Sequence, residues 1–175
     1  MRRIFLVIVL ASALAGCTTN LPPVSLMPKT VDSVSIPLVT ASFEVAPVTL
    51  LEGEVEGYLT AENFKIALEE TIKRANLFGS DTNKPFGVKA HVLEGTYPVA
   101  GFTMSSSLAV RYTVTNSAGR EILKEDVRYE GTAGLSEETD GWTRAFLAFQ
   151  RTQQGHFSLF LDKLKQALKL ETAIK

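Results

Sequence analysis

The chain has one cysteine and two histidines among its 175 residues, and its charges nearly balance. Because Cys17 has no second cysteine to pair with, a disulfide within the chain is excluded. His91 and His156 do not form the paired ligand spacing of a zinc site. With 18 basic and 19 acidic side chains, the sequence also lacks the basic excess that is typical of nucleic-acid binding. A hydrophobic core must therefore supply the stability, without disulfide or metal.

Long apolar runs are also scarce, and the one at the start of the chain is short. Arg2 and Arg3 precede the unbroken apolar run Ile4–Leu10, and small residues dominate Ala11–Gly16. This layout is typical of a secretory signal and is too short for a membrane-spanning helix. We predict that residues 1–16 are a signal peptide that is removed.

The end of this segment, Leu14-Ala15-Gly16-Cys17, resembles the lipobox of bacterial lipoprotein precursors. The resemblance implies that the Cys17 thiol takes a diacylglycerol and that its freed amino group is acylated, for example with palmitate. In this class an aspartate after the cysteine favours the inner membrane, so Thr18 implies the outer membrane with the domain facing the periplasm. The alternative is an ordinary secretory signal, which would leave a free thiol in an oxidising compartment.

The segment after the cysteine has the composition of a spacer. Residues 17–33 combine Pro22, Pro23 and Pro28 with polar residues and show no helical or strand period. We therefore predict a lipidated cysteine followed by an extended tether, which could hold the domain up to roughly 50 Å from the leaflet. A docking peptide is the alternative. Residues 34–170 then form a single domain, and residues 171–175 form a tail.

Hydrophobic periodicity places two elements in the first half of the domain. Alternation predicts a strand over Leu38–Ala46. A helix follows, with Thr60 as its N-cap and Gly79 as its C-terminal stop, because apolar residues recur from Phe64 at helical spacing. Residues 80–85 are predicted to be a polar connection.

The second half alternates again and then returns to helical spacing. We predict three strands, at 86–92, 102–115 and 123–130, with a hairpin turn at Asn116–Gly119. A second helix is predicted over Trp142–Leu168, with Trp142 on its inner stripe. The predicted fold class is α+β: a two-layer sandwich of order β-α-β-β-β-α, with a mainly antiparallel sheet and two helices on one face.

Three segments add a second resemblance, to small uncharacterised periplasmic lipoproteins that assist envelope machinery. They are Gly101–Met104, Val110–Tyr112 and His156–Leu164, and the likeness covers roughly residues 86–165. It is a pattern of strand and helix residues rather than a site motif. It implies the fold and an accessory role in the envelope, and it assigns no functional residue.

The residues that carry chemistry are isolated from one another in the sequence. His91 is expected on the outward face of a strand, and His156 beside the inner stripe of the second helix. There is no Gly-x-Ser-x-Gly nucleophile elbow. The acidic stretches 52–57 and 137–140 are interpreted as a solvated loop and as carboxylates at a helix start. We therefore expect no enzyme activity, no cofactor and no metal.

Two apolar segments remain as candidate interaction surfaces. The loop 97–104 is rich in apolar residues, and the start of the second helix carries Trp and Arg, which are common interface anchors. Packing into the core is the alternative for both. The candidate partner contacts are Tyr97, Phe102, Met104, Trp142 and Arg144.

Together these observations predict a lipid-anchored periplasmic domain that acts as a non-enzymatic accessory or assembly subunit of a cell-envelope complex. Its partners would be the membrane, through the N-terminal lipid, and an envelope protein. The alternative is a carrier of small apolar ligands or lipids, with a pocket between helices and sheet lined by Phe64, Tyr112, Phe149 and Phe160. A third, an envelope hydrolase, would need a histidine within reach of a nucleophile and a carboxylate.

Overall fold

The computed structural model describes residues 22–50, 59–98 and 100–174, which form a sheet layer and a helix layer around one core. The sheet has four strands in the order β1-β2-β3-β4. The elements in chain order are α1 Pro23–Leu26, β1 Val39–Val45, α2 Ala61–Ala75, β2 Phe78–Gly95, β3 Thr103–Thr115, β4 Glu121–Gly134 and α3 Gly141–Ala173. The predicted α+β class is confirmed, and the order gains the short helix α1 at its start.

The sheet is mixed, because its edge strand β1 is parallel to its neighbour. This corrects the prediction of a mainly antiparallel sheet at that edge. β2 pairs with β3, and β3 with β4, in antiparallel fashion, whereas β1 pairs with β2 in parallel. Helix α2 connects β1 to β2, and such a crossover returns the chain to the end of the sheet from which the first strand began. The parallel pairing therefore follows from the β-α-β order itself.

Helix α2 begins as the sequence predicts but ends earlier. The Thr60 hydroxyl accepts a hydrogen bond from the Asn63 amide at 3.0 Å, which satisfies a free N–H of the first turn. The helix ends at Ala75, and Asn76 takes the left-handed conformation with φ 54°. Gly79, the predicted stop, already belongs to β2, and the predicted connection 80–85 lies within that strand.

The strands alternate between a buried and a solvated face, as predicted. In β3, Leu108, Val110, Tyr112 and Val114 are buried beneath the helices. On the other face Arg111 of β3 forms a two-pronged ion pair with Asp126 of β4, at 2.7 and 2.8 Å. One face of the sheet thus belongs to the core, and the other is charged and solvated.

Helix α3 lies closer to β4 than ordinary side chains would allow. A Cβ at Gly131 would come within 2.5 Å of the Thr152 backbone nitrogen and 2.7 Å of the Ala148 oxygen. The Thr152 hydroxyl accepts a hydrogen bond from the Gly131 amide at 3.0 Å, and its proton lies between the carbonyls of Ser106 in β3 and Ala148 in α3, each at 2.9 Å. The helix is therefore joined directly to the backbones of β3 and β4.

The structure contradicts the prediction that residues 17–33 are an extended tether, for the part that it describes. Leu26 and Met27 are buried in the core, and the Ser25 carbonyl accepts hydrogen bonds from the Gln150 and Gln154 side chains of α3. We call residues 22–34 the N-terminal strap. Two apolar side chains that enter the core hold it on the helix layer, although its proline-rich composition is typical of a spacer.

Two further predictions about α3 are wrong. Trp142 was assigned to the inner stripe, but its side chain is exposed at the first turn. The predicted tail 171–175 is helical to Ala173, and the buried Glu171 carboxylate pairs with Arg120 and with the Asn116 amide. Cys17 and the acidic segment 52–57 lie outside the described residues.

Candidate functional site

The five predicted contact residues divide into two that are exposed and three that stabilise the fold. Phe102 is 81% exposed and Trp142 is 74% exposed. Arg144 and Met104 are buried, and Tyr97 is half-buried. Only Phe102 and Trp142 can therefore contact another molecule through most of their surface.

Strand pairing brings a third apolar side chain to the same place. Thr103 pairs with Gly134, so Phe102, which precedes β3, lies beside Leu135, which follows β4. Leu135 is 44% exposed. We call Phe102, Leu135 and Trp142 the aromatic end. Leu135 was not singled out in the sequence, although a lone leucine in a polar turn was a signal that could have identified it.

The Arg144 guanidinium holds the two loops of the aromatic end together. Its Nη1 donates to the Glu138 and Thr139 carbonyls at 2.7 and 3.1 Å, and its Nη2 donates to the Gly101 carbonyl at 3.0 Å. A buried guanidinium that satisfies three backbone carbonyls fixes the loop before β3 against the loop before α3. Arg144 therefore positions the exposed residues and does not itself face outward.

The acidic residues next to this end are engaged in structure. Asp140 caps α3 through the Thr143 amide at 2.7 Å, and this hydrogen bond lowers the pKa of its carboxyl. Glu137 accepts two hydrogen bonds from Arg151 and one from the Gly134 amide, which lower its pKa to about 2. Both carboxylates therefore stay ionised at neutral pH and are held in place by donors.

The other two predicted contacts pack inward. The Tyr97 ring lies 5.5 Å from the Phe149 ring, centroid to centroid. Met104 joins a small cluster with Ala133, Ala145 and Ala148 beneath the start of α3. These two residues therefore pack against the second helix, which was the alternative to a contact site.

His156 lies in the core and does not form a catalytic arrangement with its neighbours. Its Nδ1 is 3.4 Å from the Tyr112 hydroxyl, and its Nε2 is 3.3 Å from the Val127 carbonyl oxygen. Burial lowers the pKa of His156 to about 4, so the ring is neutral near pH 7. A histidine that is fully buried between a tyrosine and a backbone carbonyl cannot reach a substrate. His91, by contrast, is exposed.

The four side chains assigned to a ligand pocket in the carrier alternative lie in the core. Phe64, Tyr112, Phe149 and Phe160 are all buried, and the Tyr112 and Phe160 rings stack at 3.9 Å. Phe64 in turn packs against Phe157, with the ring centroids 5.0 Å apart. Two surface grooves lie elsewhere, one of about 490 Å³ beside the N-terminal strap and one of about 440 Å³ beside β1.

Metal-ligand clusters and membrane-spanning helices are both absent from the part of the chain that the structure describes. Within residues 22–50, 59–98 and 100–174, no three His, Cys, Asp or Glu side chains come together as metal ligands would. In that same part of the chain, no helix has the length and apolar character needed to cross a membrane.

Comparison with known proteins gives the fold. No protein-family model matches the chain, and no curated protein matches its sequence. A DUF330 protein of Xanthomonas campestris matches with a TM-score of 0.62 at 10% identity, over 89% of this chain and 99% of that one. A hypothetical protein of Chlamydia trachomatis matches with a TM-score of 0.52 at 13% identity, over 74% of this chain and 98% of that one.

A third structure, of a candidate lipoprotein from Caulobacter crescentus, has a TM-score of 0.43 at 15% identity, over 74% of this chain and 90% of that one. That TM-score is too low to support an inference. The first two likenesses show that this chain has the fold of small bacterial domains, among them a DUF330 protein.

Proposed function

We propose that this protein is a lipid-anchored, non-enzymatic domain of the bacterial cell envelope that acts as an accessory or assembly subunit. The anchor is the Cys17 lipid implied by the lipobox, and the outer membrane is the location implied by Thr18. In this proposal the domain works by presenting surfaces at a fixed place, and it carries out no reaction.

The observation that carries the proposal is the contrast between a filled interior and an exposed aromatic end. A carrier needs an apolar cavity, and such cavities in proteins are typically 300–1,000 Å³. The four side chains that would line it are buried, and among them Tyr112 stacks on Phe160 while Phe64 packs on Phe157. Exposed Phe and Trp side chains on a rigid frame are typical of a surface that contacts another protein or a membrane.

The N-terminal strap supports the same proposal. Because Leu26 and Met27 are part of the core, the lipid anchor and the domain are joined by a short segment rather than a long tether. A domain on a short segment stays close to the membrane surface. This property suits an assembly subunit better than a carrier that must leave the leaflet.

The experiment that separates the two functions measures the size of the native protein after gentle detergent extraction. An accessory subunit should migrate with an assembly much larger than the 19.1 kDa chain after cross-linking in intact cells. A carrier should migrate as a monomer and release an apolar compound on denaturation. The second result would overturn the proposed function in favour of the carrier alternative.

A further inference from the structure

The N-terminal strap has a direction along α3. Ser25 lies over Gln150 and Gln154, and farther along the strap the Asp32 carbonyl accepts a hydrogen bond from the Lys165 side chain at 2.7 Å. The strap therefore runs from the first third of α3 toward its C-terminus. Its upstream end, which leads to Cys17, is the end nearer to the aromatic end.

Chain length restricts which part of the domain can rest on the leaflet. Ser25 follows Cys17 by eight residues, so the stretch between them spans at most about 28 Å even when it is fully extended. Trp142 precedes Gln150 by eight residues, which is about 12 Å along the helix axis. Ala173 follows Gln150 by 23 residues, about 35 Å. The aromatic end therefore lies well within reach of the anchor, whereas the opposite end of α3 lies at or beyond the limit of a fully extended segment.

The side chains at the aromatic end have the chemistry of a membrane interface. Trp142 and Phe102 combine large apolar rings with high exposure, and tryptophan prefers the headgroup layer, where its apolar body is buried and its N–H stays hydrated. The flanking carboxylates both have donors: Glu137 pairs with Arg151, and Asp140 accepts a hydrogen bond from the Thr143 amide.

We propose that Phe102, Leu135 and Trp142 insert into the headgroup layer of the leaflet that holds the Cys17 lipid. The aromatic end is then a second membrane contact beside the lipid, and together they fix the orientation of the domain. This inference rests on the lipid anchor of the proposed function. It assigns the aromatic end to lipid rather than to a protein partner.

The test uses Trp142 as a natural probe, because it is the only tryptophan in the chain. The full chain is produced in bacteria, extracted from membranes in detergent and reconstituted into vesicles of phosphatidylcholine and phosphatidylethanolamine. A parallel set contains phosphatidylcholine brominated on its acyl chains. Flotation of the vesicles reports anchoring, and Trp142 fluorescence reports insertion.

We expect the protein to float with the vesicles, the emission of Trp142 to shift to shorter wavelength, and bromolipid to quench it. Acrylamide quenching should fall several-fold relative to the Cys17→Ser protein in solution. Phe102→Ser should weaken the bromolipid quenching. Leu170→Ser, which changes an equally exposed apolar residue near the other end of α3, should leave it unchanged.

Two results would overturn the inference, and they are distinguishable. If the protein floats but Trp142 stays open to acrylamide and insensitive to bromolipid, the lipid anchor stands and the insertion is refuted. If Trp142 were then protected from acrylamide in native membranes but not in vesicles, the aromatic end would be assigned to a protein partner. If the protein does not float, the anchor itself fails, and the insertion falls with it.

Discussion

The close approach of α3 to β4 makes Gly131→Ala the most informative substitution in the core. The added Cβ would meet the Thr152 nitrogen at 2.5 Å, the Ala148 oxygen at 2.7 Å and the Thr152 hydroxyl at 2.7 Å. Two of these three atoms belong to the helix backbone, so the contact is relieved only by moving α3 away from the sheet. That movement would also break the hydrogen bonds of the Thr152 hydroxyl to β3 and β4.

The cost has three parts. Overpacking of a tight core typically costs about 1–3 kcal/mol. A buried backbone group left without its hydrogen bond adds about 1–3 kcal/mol. Replacing glycine inside a strand returns about 0.5–1 kcal/mol of conformational entropy. We therefore expect a net loss of about 2–4 kcal/mol, which lowers the melting temperature of a domain of this size by about 5–15 °C.

The matched control is Gly134→Ala in the same strand, where the added Cβ would meet its nearest atoms at ordinary contact distances of 3.8 and 3.9 Å. Thermal unfolding of both variants, followed by circular dichroism, measures the difference. The reasoning is refuted if Gly131→Ala melts at the same temperature as Gly134→Ala.

Two further predictions concern the strap and the buried histidine. Leu26→Ala should lower the free energy of unfolding by about 2–5 kcal/mol, because Leu26 is buried. Val24→Ala on the same short helix should change it by less than about 0.5 kcal/mol, because Val24 is mostly exposed. Urea unfolding compares the two variants, and equal losses would show that the strap does not pack on the core. Burial depresses the pKa of His156 from 6.5 to about 4, so the unfolded chain binds more protons between these pH values, and stability should fall by up to about 3 kcal/mol as the pH drops from 6.5 through 4. Melting temperatures of His156→Gln and His91→Gln measured against pH check this, because only the first should flatten the decline, and the same decline in both would contradict it.

The elements that the sequence predicts well are those with local signals. Thr60 and Asp140 cap their helices through the third following amide, as their positions suggest. Alternation in β3 places Tyr112 and its neighbours in the core. These features depend on contacts between residues close in the chain or on one repeating pattern, so a single sequence contains the necessary information.

The elements that it predicts poorly depend on tertiary contacts. Leu26 and Met27 are two apolar residues in a proline-rich segment, and they become core residues only because the segment packs on α2 and α3. Residues 80–85 lack alternation, yet they extend strand β2 because β1 pairs with this part of it. The parallel pairing of β1 and β2 could have been predicted, because a strand-helix-strand order favours it.

The candidate site shows the same division. Phe102 and Trp142 were recognised as apolar residues in segments of unusual composition, and both are exposed. The role of Arg144 was not predictable, since its three acceptors are backbone carbonyls from two separate loops. Composition can identify an interface residue, but only the fold shows whether it faces solvent or the core.

The central claim is that a lipid on Cys17 holds this domain at a membrane, and metabolic labelling with a fatty acid tests it directly. Cells producing the wild-type chain or Cys17→Ser are grown with an alkyne-tagged fatty acid, and the protein is then isolated and its label measured. The account predicts strong label and membrane association for the wild type, and neither label nor acyl-dependent mobility for Cys17→Ser. Equal label on the two proteins, or none on the wild type, would contradict it.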